Sequence, residues 1–469
     1  MNPPRNSTAA RDVASVLHPY TELKSHLTKG PVVIARGEGV RVWDDQGKDY
    51  IESVAGLWCA ALGFSNERLV EAATAQMRRL PFYHAFTAKS YEPLIDLSEM
   101  LLERAPPSVD GAPMSKVFFA NSGSEANDSA VKMVWYYNNA VGRPRKKKII
   151  ARLKGYHGVT VAAASLTGLP NNHRLFDLPI AGVLHTMTPH HYHGAEPGES
   201  EEDFATRCAE ELEALILRED PETVAAMFAE PIMGAGGVIL PPATYFEKIQ
   251  AVLRKYDVLL VADEVICGFG RTGNYWGSQT YGIQPDILTC AKALSASFLP
   301  ISAVMVNDRV FQGLAEGSSQ VGTFGHGFTY SGHPVSAAVA IETLRIYDEM
   351  NLVEHAATVG AHMQAGLRER FAEHPLVGEV RGTGLIAGVE LVEDKAARRN
   401  FDPARKLGAR LMALGEQNGV ILRAMPGDSI GFSPPLVITE AEVDEMLDRF
   451  GRALDALAVE IRREGIAAV

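Results

Sequence analysis

The chain has 469 residues, of which 46% are hydrophobic and 22% are charged. This length exceeds one ordinary domain, and the composition is that of a globular protein with an ample core. The formal net charge of −12, from 45 basic and 57 acidic residues, argues against a nucleic acid or an anionic membrane as the partner.

The cysteines and the N-terminus indicate where such a chain works. Cys59, Cys208, Cys267 and Cys290 have no C-x-x-C spacing, so they do not indicate a disulfide framework. The first residues lack an apolar signal core, and no stretch approaches 18 consecutive apolar residues. We therefore expect a cytoplasmic protein without a membrane span.

The N-terminal third begins with an arm. The first 30 residues are polar and interrupted by prolines, which predicts a segment that lies over the body or over a partner. Val40–Trp43 and Tyr50–Ile51 predict a hairpin. Trp58 follows in a Gly/Ala-rich stretch, and Phe86 lies in an aromatic loop between two predicted helices. Each of these two side chains either packs in a core or forms the wall of a pocket.

A strand at Lys116–Ala120 leads into the sequence NSGSEAN at 121–127, which opens a predicted helix. Exposed amide groups and the helix dipole make such a turn an anion site. It could equally be an ordinary capping turn, because Ser and Asn favour N-caps.

Two further polar groups follow predicted strands. Tyr156 and His157 come after the strand at 149–150, and an aromatic ring there can stack on a cofactor ring. His157 either packs structurally or lines a site. The strand Val224–Ala229 ends at Glu230, where open α/β sheets bind ligands.

The next turn, Gly234–Gly237, permits close approach of the backbone, and Ala235 within it can border a substrate pocket. The segment Leu184–Gly194 contains His185, His190, His191 and His193. Such a cluster can bind a metal, but its flanking residues favour a surface loop. We predict a loop and no metal.

The strongest chemical signal is an acid followed by a lysine. The buried strand predicted at Val258–Ala262 ends at Asp263. This carboxylate is either part of a solvated turn or a partner that keeps a pyridine nitrogen protonated. Lys292 lies just past a second predicted strand, Ile287–Cys290. Its apolar surroundings disfavour the ammonium form, so the amine can react with a carbonyl cofactor.

The glycines at Gly268, Gly270 and Gly273 also fit G-x-G-x-x-G. A dinucleotide site would need them to open an amphipathic helix, with an acid about 20 residues further on. A polar stretch broken by Gly and Pro follows instead. A nicotinamide dehydrogenase is therefore a minor alternative.

The C-terminal part changes pattern. Thr329 lies in the Gly-rich stretch Gly325–His333, and a helix is expected from Pro334. Helices and short strands then alternate in an α+β pattern. Arg423 ends a predicted strand, either as a surface residue or as a bidentate clamp for a substrate carboxylate.

The sequence VADEVICGFGRTG at 261–273, with the lysine of AKALS at 291–295, resembles the class III aminotransferases, which are pyridoxal-phosphate enzymes of fold type I. The resemblance spans nearly the whole chain. It implies an α/β fold with a large domain built on a mostly parallel seven-stranded sheet flanked by helices, and a smaller α+β domain. The expected divisions are an N-terminal segment of the small domain (1–65), the large cofactor-binding domain (66–334) and the C-terminal small domain (335–469).

The resemblance also implies roles. Lys292 and Asp263 are the expected catalytic residues, and Thr329 is expected to reach the phosphate of a partner subunit across a homodimer that can pair into a tetramer. The expected pyridoxal 5′-phosphate ligands are Ser122, Gly123, Ser124, Tyr156, His157, Glu230, Asp263, Val265, Lys292 and Thr329. The expected substrate-binding residues are Trp58, Phe86, Tyr156, Ala235 and Arg423.

Three stretches, LWC at 57–59, PNNHRLFDLP at 170–179 and ILRAMPGDSI at 421–430, resemble amine:pyruvate (omega) aminotransferases. Those enzymes are usually selective for (S)-amines and use a ping-pong mechanism. Members that act on putrescine, taurine, β-alanine or 4-aminobutyrate share the cofactor residues. An aminomutase or decarboxylase, a dehydrogenase and a non-catalytic binding protein are the remaining alternatives.

Overall fold

The computed structural model describes residues 7–465. Its strands, in chain order, are β1 (Ile34–Glu38), β2 (Arg41–Asp44), β3 (Asp49–Glu52), β4 (Met114–Ala120), β5 (Lys148–Arg152), β6 (Val183–Thr186), β7 (Val224–Ala229), β8 (Leu259–Asp263), β9 (Ile287–Cys290), β10 (Ser302–Asn307), β11 (Val377–Thr383), β12 (Ile386–Leu391), β13 (Val420–Ile421), β14 (Arg423–Met425) and β15 (Ser429–Phe432).

The α-helices are α1 (Thr8–Ser15), α2 (Leu23–Lys29), α3 (Ala55–Trp58), α4 (Glu67–Arg79), α5 (Glu92–Arg104), α6 (Gly123–Ala140), α7 (Val161–Leu166), α8 (His191–Gly194), α9 (Glu201–Arg218), α10 (Tyr245–Lys255), α11 (Gly277–Tyr281), α12 (Asp308–Val321), α13 (Pro334–Glu349), α14 (Leu352–Phe371), α15 (Leu407–Gln417) and α16 (Glu440–Glu464). None of the helices within residues 7–465 is both long enough and apolar enough to cross a membrane.

A seven-stranded sheet in the order β4-β10-β9-β8-β7-β5-β6 forms the centre of the fold. β10 is antiparallel to both of its neighbours, and the other pairs are parallel. Every residue of β7, β8 and β9 is buried, as expected for parallel strands covered on both faces. The predicted α/β fold with a mostly parallel seven-stranded sheet is confirmed.

Two smaller sheets contain the strands that precede β4 and those that follow β10. β11, β12, β15 and β14 form an antiparallel sheet, and β1, β2 and β3 form a second one that β13 joins at its edge. β13 runs parallel to β3, with Val420 opposite Ile51. This pairing supports the proposal that residues 1–65 belong with the C-terminal domain. The boundaries at 65 and 334 remain predictions.

The segment with four histidines is not the surface loop predicted from the sequence. His185 lies in β6, and His190 is buried with its Nε2 2.9 Å from Glu379 Oε2. His193 Nε2 hydrogen-bonds Glu390 of β12. The prediction failed because these polar partners come from strands nearly 200 residues further along the chain.

The segment Gly268–Gly273, which fits G-x-G-x-x-G, packs against the C-terminal part of the chain. It lies between β8 and α11, a helix of only five residues. Arg271, which is buried within it, donates hydrogen bonds from Nη1 to the carbonyl oxygens of Leu385 (3.0 Å) and Pro434 (2.6 Å). The long helix that a dinucleotide site requires at this point is replaced by a structural turn.

Candidate active site

A cavity of about 130 Å³ lies at the carboxyl ends of the central strands. Parallel strands bring their ends to one edge, which is where open α/β sheets bind ligands. Residues far apart in the sequence meet there for this reason. The lining residues are Gly123, Ser124, Asn127, Tyr156, His157, Gly158, Glu230, Asp263, Val265, Ile266 and Lys292.

Asp263 ends β8 and is held by a buried hydrogen-bond network. Its Oδ2 accepts hydrogen bonds from Asn127 Nδ2 (2.7 Å) and from His157 Nδ1 (2.8 Å), and its Oδ1 accepts from the Val265 amide (3.1 Å). Asn127 is fixed in turn by Thr289, which donates to its Oδ1 at 2.9 Å. The aspartate is thus oriented from three sides, with only 3% of its side chain exposed.

Lys292 follows β9 and opens a short 3₁₀ turn. Its φ of +51° lies in the left-handed region, which a non-glycine residue occupies at a cost of roughly 1–3 kcal/mol unless its surroundings fix it. Burial lowers the pKa of Lys292, opposed by the charges of Cys59, Asp263 and Glu230. The side chain is suited to supply a neutral amine inside the cavity.

The N-terminus of α6 forms one wall of the cavity. Ser122 caps this 18-residue helix by accepting from the Glu125 amide at 3.2 Å, and Gly123 and Ser124 are its first residues. A Cβ on Gly123 would approach both Val265 methyl groups to 3.1 Å, so the close packing favours glycine. The amides of a helix's first turn have no partner within the helix and, with the helix dipole, favour an anion such as phosphate.

Glu230 and Tyr156 occupy another side of the cavity. Glu230 Oε1 accepts from the Tyr156 amide (2.9 Å), and its Oε2 accepts from the Gly234 amide (3.1 Å). Burial raises the pKa of Glu230 and also that of Tyr156, to which the neighbouring Tyr20 adds. The carboxyl group therefore fixes the backbone on both sides of the cavity wall.

Trp58 lies on a turn with unusual backbone geometry. Ala55, Gly56 and Trp58 all have positive φ, at 47°, 69° and 58°. The buried Glu52 holds this turn by accepting from the amides of Val54 (3.2 Å) and Gly56. Burial raises the pKa of Glu52 to about 7.

Arg423 reaches the same place from the C-terminal part of the chain. It begins β14, directly after β13 pairs with β3, and its guanidinium carbon lies 4.7 Å from the centroid of the Trp58 ring. Lys292 Nζ lies 5.8 Å from the same ring. Burial lowers the pKa of Arg423, opposed by Tyr156, Tyr20 and Glu52. A half-buried cation is therefore placed beside the reactive amine.

Six of the predicted site residues do not line this cavity within residues 7–465, including Trp58 and Arg423, which meet beside it. Ser122 acts as a helix cap, and Ala235 is half-buried in its turn. Phe86 is 46% exposed and packs on Gly327, in a different cavity of about 900 Å³. Thr329, two residues after Gly327, is exposed. Their predicted roles remain predictions.

Besides Gly158 and Ile266, which line the cavity, three polar residues that support the site were missed from the sequence. Asn127 orients Asp263, Glu52 holds the Trp58 turn, and Tyr20 lies against Tyr156. Asn127 stands in the NSGSEAN stretch, one helical turn beyond the predicted anion site, so helical spacing could have indicated it.

The fold and the site together define a pyridoxal-phosphate-dependent transferase of fold type I. The donor set fits this cofactor, because it combines a half-buried lysine, a carboxylate held at a strand end and a helix N-terminus suited to phosphate.

The particular family follows from comparison. A model of the class-III aminotransferase family matches residues 24–454, and the chain belongs to that family. It is 50% identical over 455 residues to the gamma aminobutyrate transaminase 3, chloroplastic, of Solanum lycopersicum, which covers 96% of this chain and 86% of that protein.

Solved structures of omega transaminases are also similar. The omega transaminase from Pseudomonas jessenii in complex with PMP is 57% identical, with a TM-score of 0.95 over 97% of this chain and 99% of its own. A thermostable omega transaminase variant, W58G, engineered for asymmetric synthesis of enantiopure bulky amines, is 56% identical, with a TM-score of 0.94 over 97% of this chain and all of its own. The enzyme is thus a pyridoxal-phosphate-dependent aminotransferase acting on an amine and a keto acid.

Proposed function

We propose that this enzyme transfers the amino group of a primary amine to pyruvate, giving a ketone or aldehyde and alanine. The amine is an (S)-configured aryl or small aliphatic amine, or an ω-amino acid. One observation carries the proposal: the Arg423 guanidinium and the Lys292 amine contact the same Trp58 ring. A carboxylate clamp and an apolar wall therefore stand side by side at the reactive amine.

Each residue has a distinct task in this proposal. Pyridoxal phosphate, when bound, accepts the electron pair released when the substrate carbon loses its proton. Lys292 would hold the cofactor through its aldehyde, and its Nζ, once displaced by the substrate amine, would be free to move that proton, for which its lowered pKa suits it. Asp263 keeps the ring nitrogen protonated, and Arg423 takes the carboxylate of pyruvate bidentately.

The remaining cofactor contacts are proposed from their positions. The amides of Gly123 and Ser124, with Ser122 as cap, bind the phosphate. Tyr156 and Val265, which both line the cavity, would hold the ring between them, and His157 orients Asp263. Glu230 binds near the cofactor hydroxyl.

We propose a homodimer in which Thr329 completes the phosphate site of the partner subunit. The exposure of Thr329 and Phe86 on the isolated chain supports this proposal. It is tested by mixing Lys292→Ala and Thr329→Ala chains, each inactive or impaired alone. If sites are shared, mixed dimers contain one intact site and recover activity. A mixture no more active than the sum of its parts contradicts sharing.

A second specificity is favoured by the 50% identity to a gamma aminobutyrate transaminase. In that case 4-aminobutyrate is the donor, and Arg423 binds its carboxylate. The free thiols of Cys59, Cys208, Cys267 and Cys290 support our proposal that the enzyme works in the reducing cytoplasm.

The test is the visible absorption spectrum of the holoenzyme during each half-reaction. Adding (S)-1-phenylethylamine should bleach the yellow cofactor band, and pyruvate should restore it. Bleaching by 4-aminobutyrate alone would replace the first specificity with the second. A Lys292→Ala variant that turned over substrates substantially would refute the assigned role of the lysine.

A further inference from the structure

Two histidines converge on one aspartate in the N-terminal arm. His18 Nε2 lies 2.9 Å from both carboxylate oxygens of Asp12, and His26 Nε2 lies 3.1 Å from Oδ1. The two imidazole rings are 4.4 Å apart. The side chains of Asp12, His18 and His26 are only 19%, 27% and 8% exposed. The three groups thus face each other rather than solvent.

This arrangement matches the donors and spacing of a zinc site. Zn²⁺ binds imidazole nitrogen and carboxylate oxygen at about 2.0–2.2 Å in tetrahedral geometry, which places donor atoms roughly 3.3 Å apart. The three ligand atoms here all lie within 4.8 Å of one another. A small movement of the two imidazole side chains towards each other brings all three ligand atoms within reach of a single ion.

The electrostatics distinguish this cluster from the other histidine cluster of the chain. Among the described residues, Asp12 forms ion pairs with His18 and His26 and with no Arg or Lys. Glu390, beside His193, is neutralised by Arg381 at 2.7 Å. The permanent positive charge of Arg381 disfavours the binding of a metal ion to Glu390. The Asp12 carboxylate has no such neighbour within residues 7–465 and can bind one.

We propose that Asp12, His18 and His26 form a three-ligand site for a Zn²⁺-type transition metal, with water in the fourth position. The ion joins α1, through Asp12, to the last turn of the second helix, α2, through His26. It fixes the intervening residues, which include Tyr20.

The position of Tyr20 connects this site to the active-site cavity. Its hydroxyl accepts a hydrogen bond from Asn172 Nδ2 at 2.6 Å, and its side chain lies near that of Tyr156, which lines the cavity. Metal binding therefore stiffens the arm where it contacts the substrate side of the cavity. This bracing role rests on the proposed function, whereas the metal site itself does not.

The test is titration of metal-free holoenzyme with Co²⁺, followed by its d–d absorption, and with Zn²⁺ by calorimetry. We expect one equivalent per chain in the wild type and in the control His193→Ala. Asp12→Asn and His18→Ala should weaken binding by about tenfold or more, because each removes a ligand. The proposal is overturned if the wild type shows no saturable uptake. It is also overturned if Asp12→Asn and His18→Ala take up metal as well as the wild type does. Loss of uptake in His193→Ala alone also overturns it.

Limited proteolysis tests the bracing role separately. Zn²⁺ should slow cleavage of the arm in the wild type but not in His18→Ala. An unchanged cleavage rate at saturating metal removes this role. Failure of the proposed transamination would appear instead in the amine and pyruvate half-reactions of the metal-free enzyme.

Discussion

The guanidinium of Arg423 and the indole of Trp58 form a cation–π contact, with 4.7 Å between the guanidinium carbon and the ring centroid. Lys292 Nζ approaches the same ring to 5.8 Å. The negative face of an aromatic ring attracts cations by about 0.5–2 kcal/mol. Trp58 can therefore help to hold the Arg423 cation beside the Lys292 amine.

Replacing Arg423 with alanine should separate the two half-reactions. Loss of a charge-assisted carboxylate clamp worth about 1.5–3 kcal/mol should lower kcat/KM for pyruvate by roughly 10- to 150-fold. An uncharged amine makes no use of this clamp, so its kcat/KM should change by less than about threefold.

Arg423→Lys is the matched control for this prediction. It keeps the charge but loses the planar pair of donors, so its pyruvate kinetics should lie between those of the wild type and Arg423→Ala. Equal losses for pyruvate and amine in Arg423→Ala would remove the clamp from the proposal.

Replacing Asn127 with alanine should lower turnover without removing any predicted catalytic group. Asn127 donates to Asp263 Oδ2 at 2.7 Å and to the His157 carbonyl at 2.7 Å. Without it, the carboxylate is held less firmly, and we expect kcat to fall by roughly 10- to 100-fold with a smaller change in KM.

Asn138→Ala is the control for Asn127→Ala. Asn138 is buried in the same helix but donates only to the Val134 carbonyl. Both substitutions should lower the melting temperature, and only Asn127→Ala should lower kcat. Similar kcat values in the two variants would mean that Asn127 is structural alone.

The elements of the large domain were predictable because their sequence patterns are local. An apolar run predicts a strand buried on both faces, as in β7, β8 and β9. A helical periodicity of apolar residues predicts a helix with one buried face, as in α9. Asp263 and Glu230 could be placed at the ligand edge of the sheet for the same reason.

The substrate side depended on contacts between distant parts of the chain. Glu52 and Arg423 meet because β3 pairs with β13, and strands as short as these carry little periodic signal. The burial of His190 follows from Glu379, 189 residues away. No local pattern reports such partners, so the sequence predicts a loop at the histidine segment.

Replacing Glu52 with glutamine should weaken pyruvate binding by releasing the turn that carries Trp58. The substitution turns one of the two carboxylate oxygens into an NH₂ group, which cannot accept a hydrogen bond from the amide of Val54 or Gly56. We expect a loss of about 1–3 kcal/mol in stability and a KM for pyruvate raised roughly 3- to 10-fold. Glu38→Gln, at an exposed position, is the control. An unchanged KM in a destabilised Glu52→Gln variant would limit Glu52 to folding.

Glu264 should make the enzyme less stable as the pH rises towards neutrality. It is fully buried, and burial raises its pKa from 4.5 to about 7, opposed by hydrogen bonds from Ser278 and Gly277. The folded state then holds a proton that the unfolded state releases above about pH 4.5. This contribution to the free energy of unfolding, on the order of 3 kcal/mol, is complete below pH 4.5 and is lost by about pH 7.

Glu264→Gln removes the titrating group, so its urea midpoint should fall less steeply between pH 5 and pH 8 than that of the wild type. The exposed Glu247→Gln should keep the wild-type slope. Glu52, with its pKa also raised to about 7, continues to contribute in both variants, so some slope remains. If Glu264→Gln and the wild type showed parallel profiles, Glu264 would be charged in the folded protein throughout this range, and its three hydrogen bonds would outweigh the cost of burial.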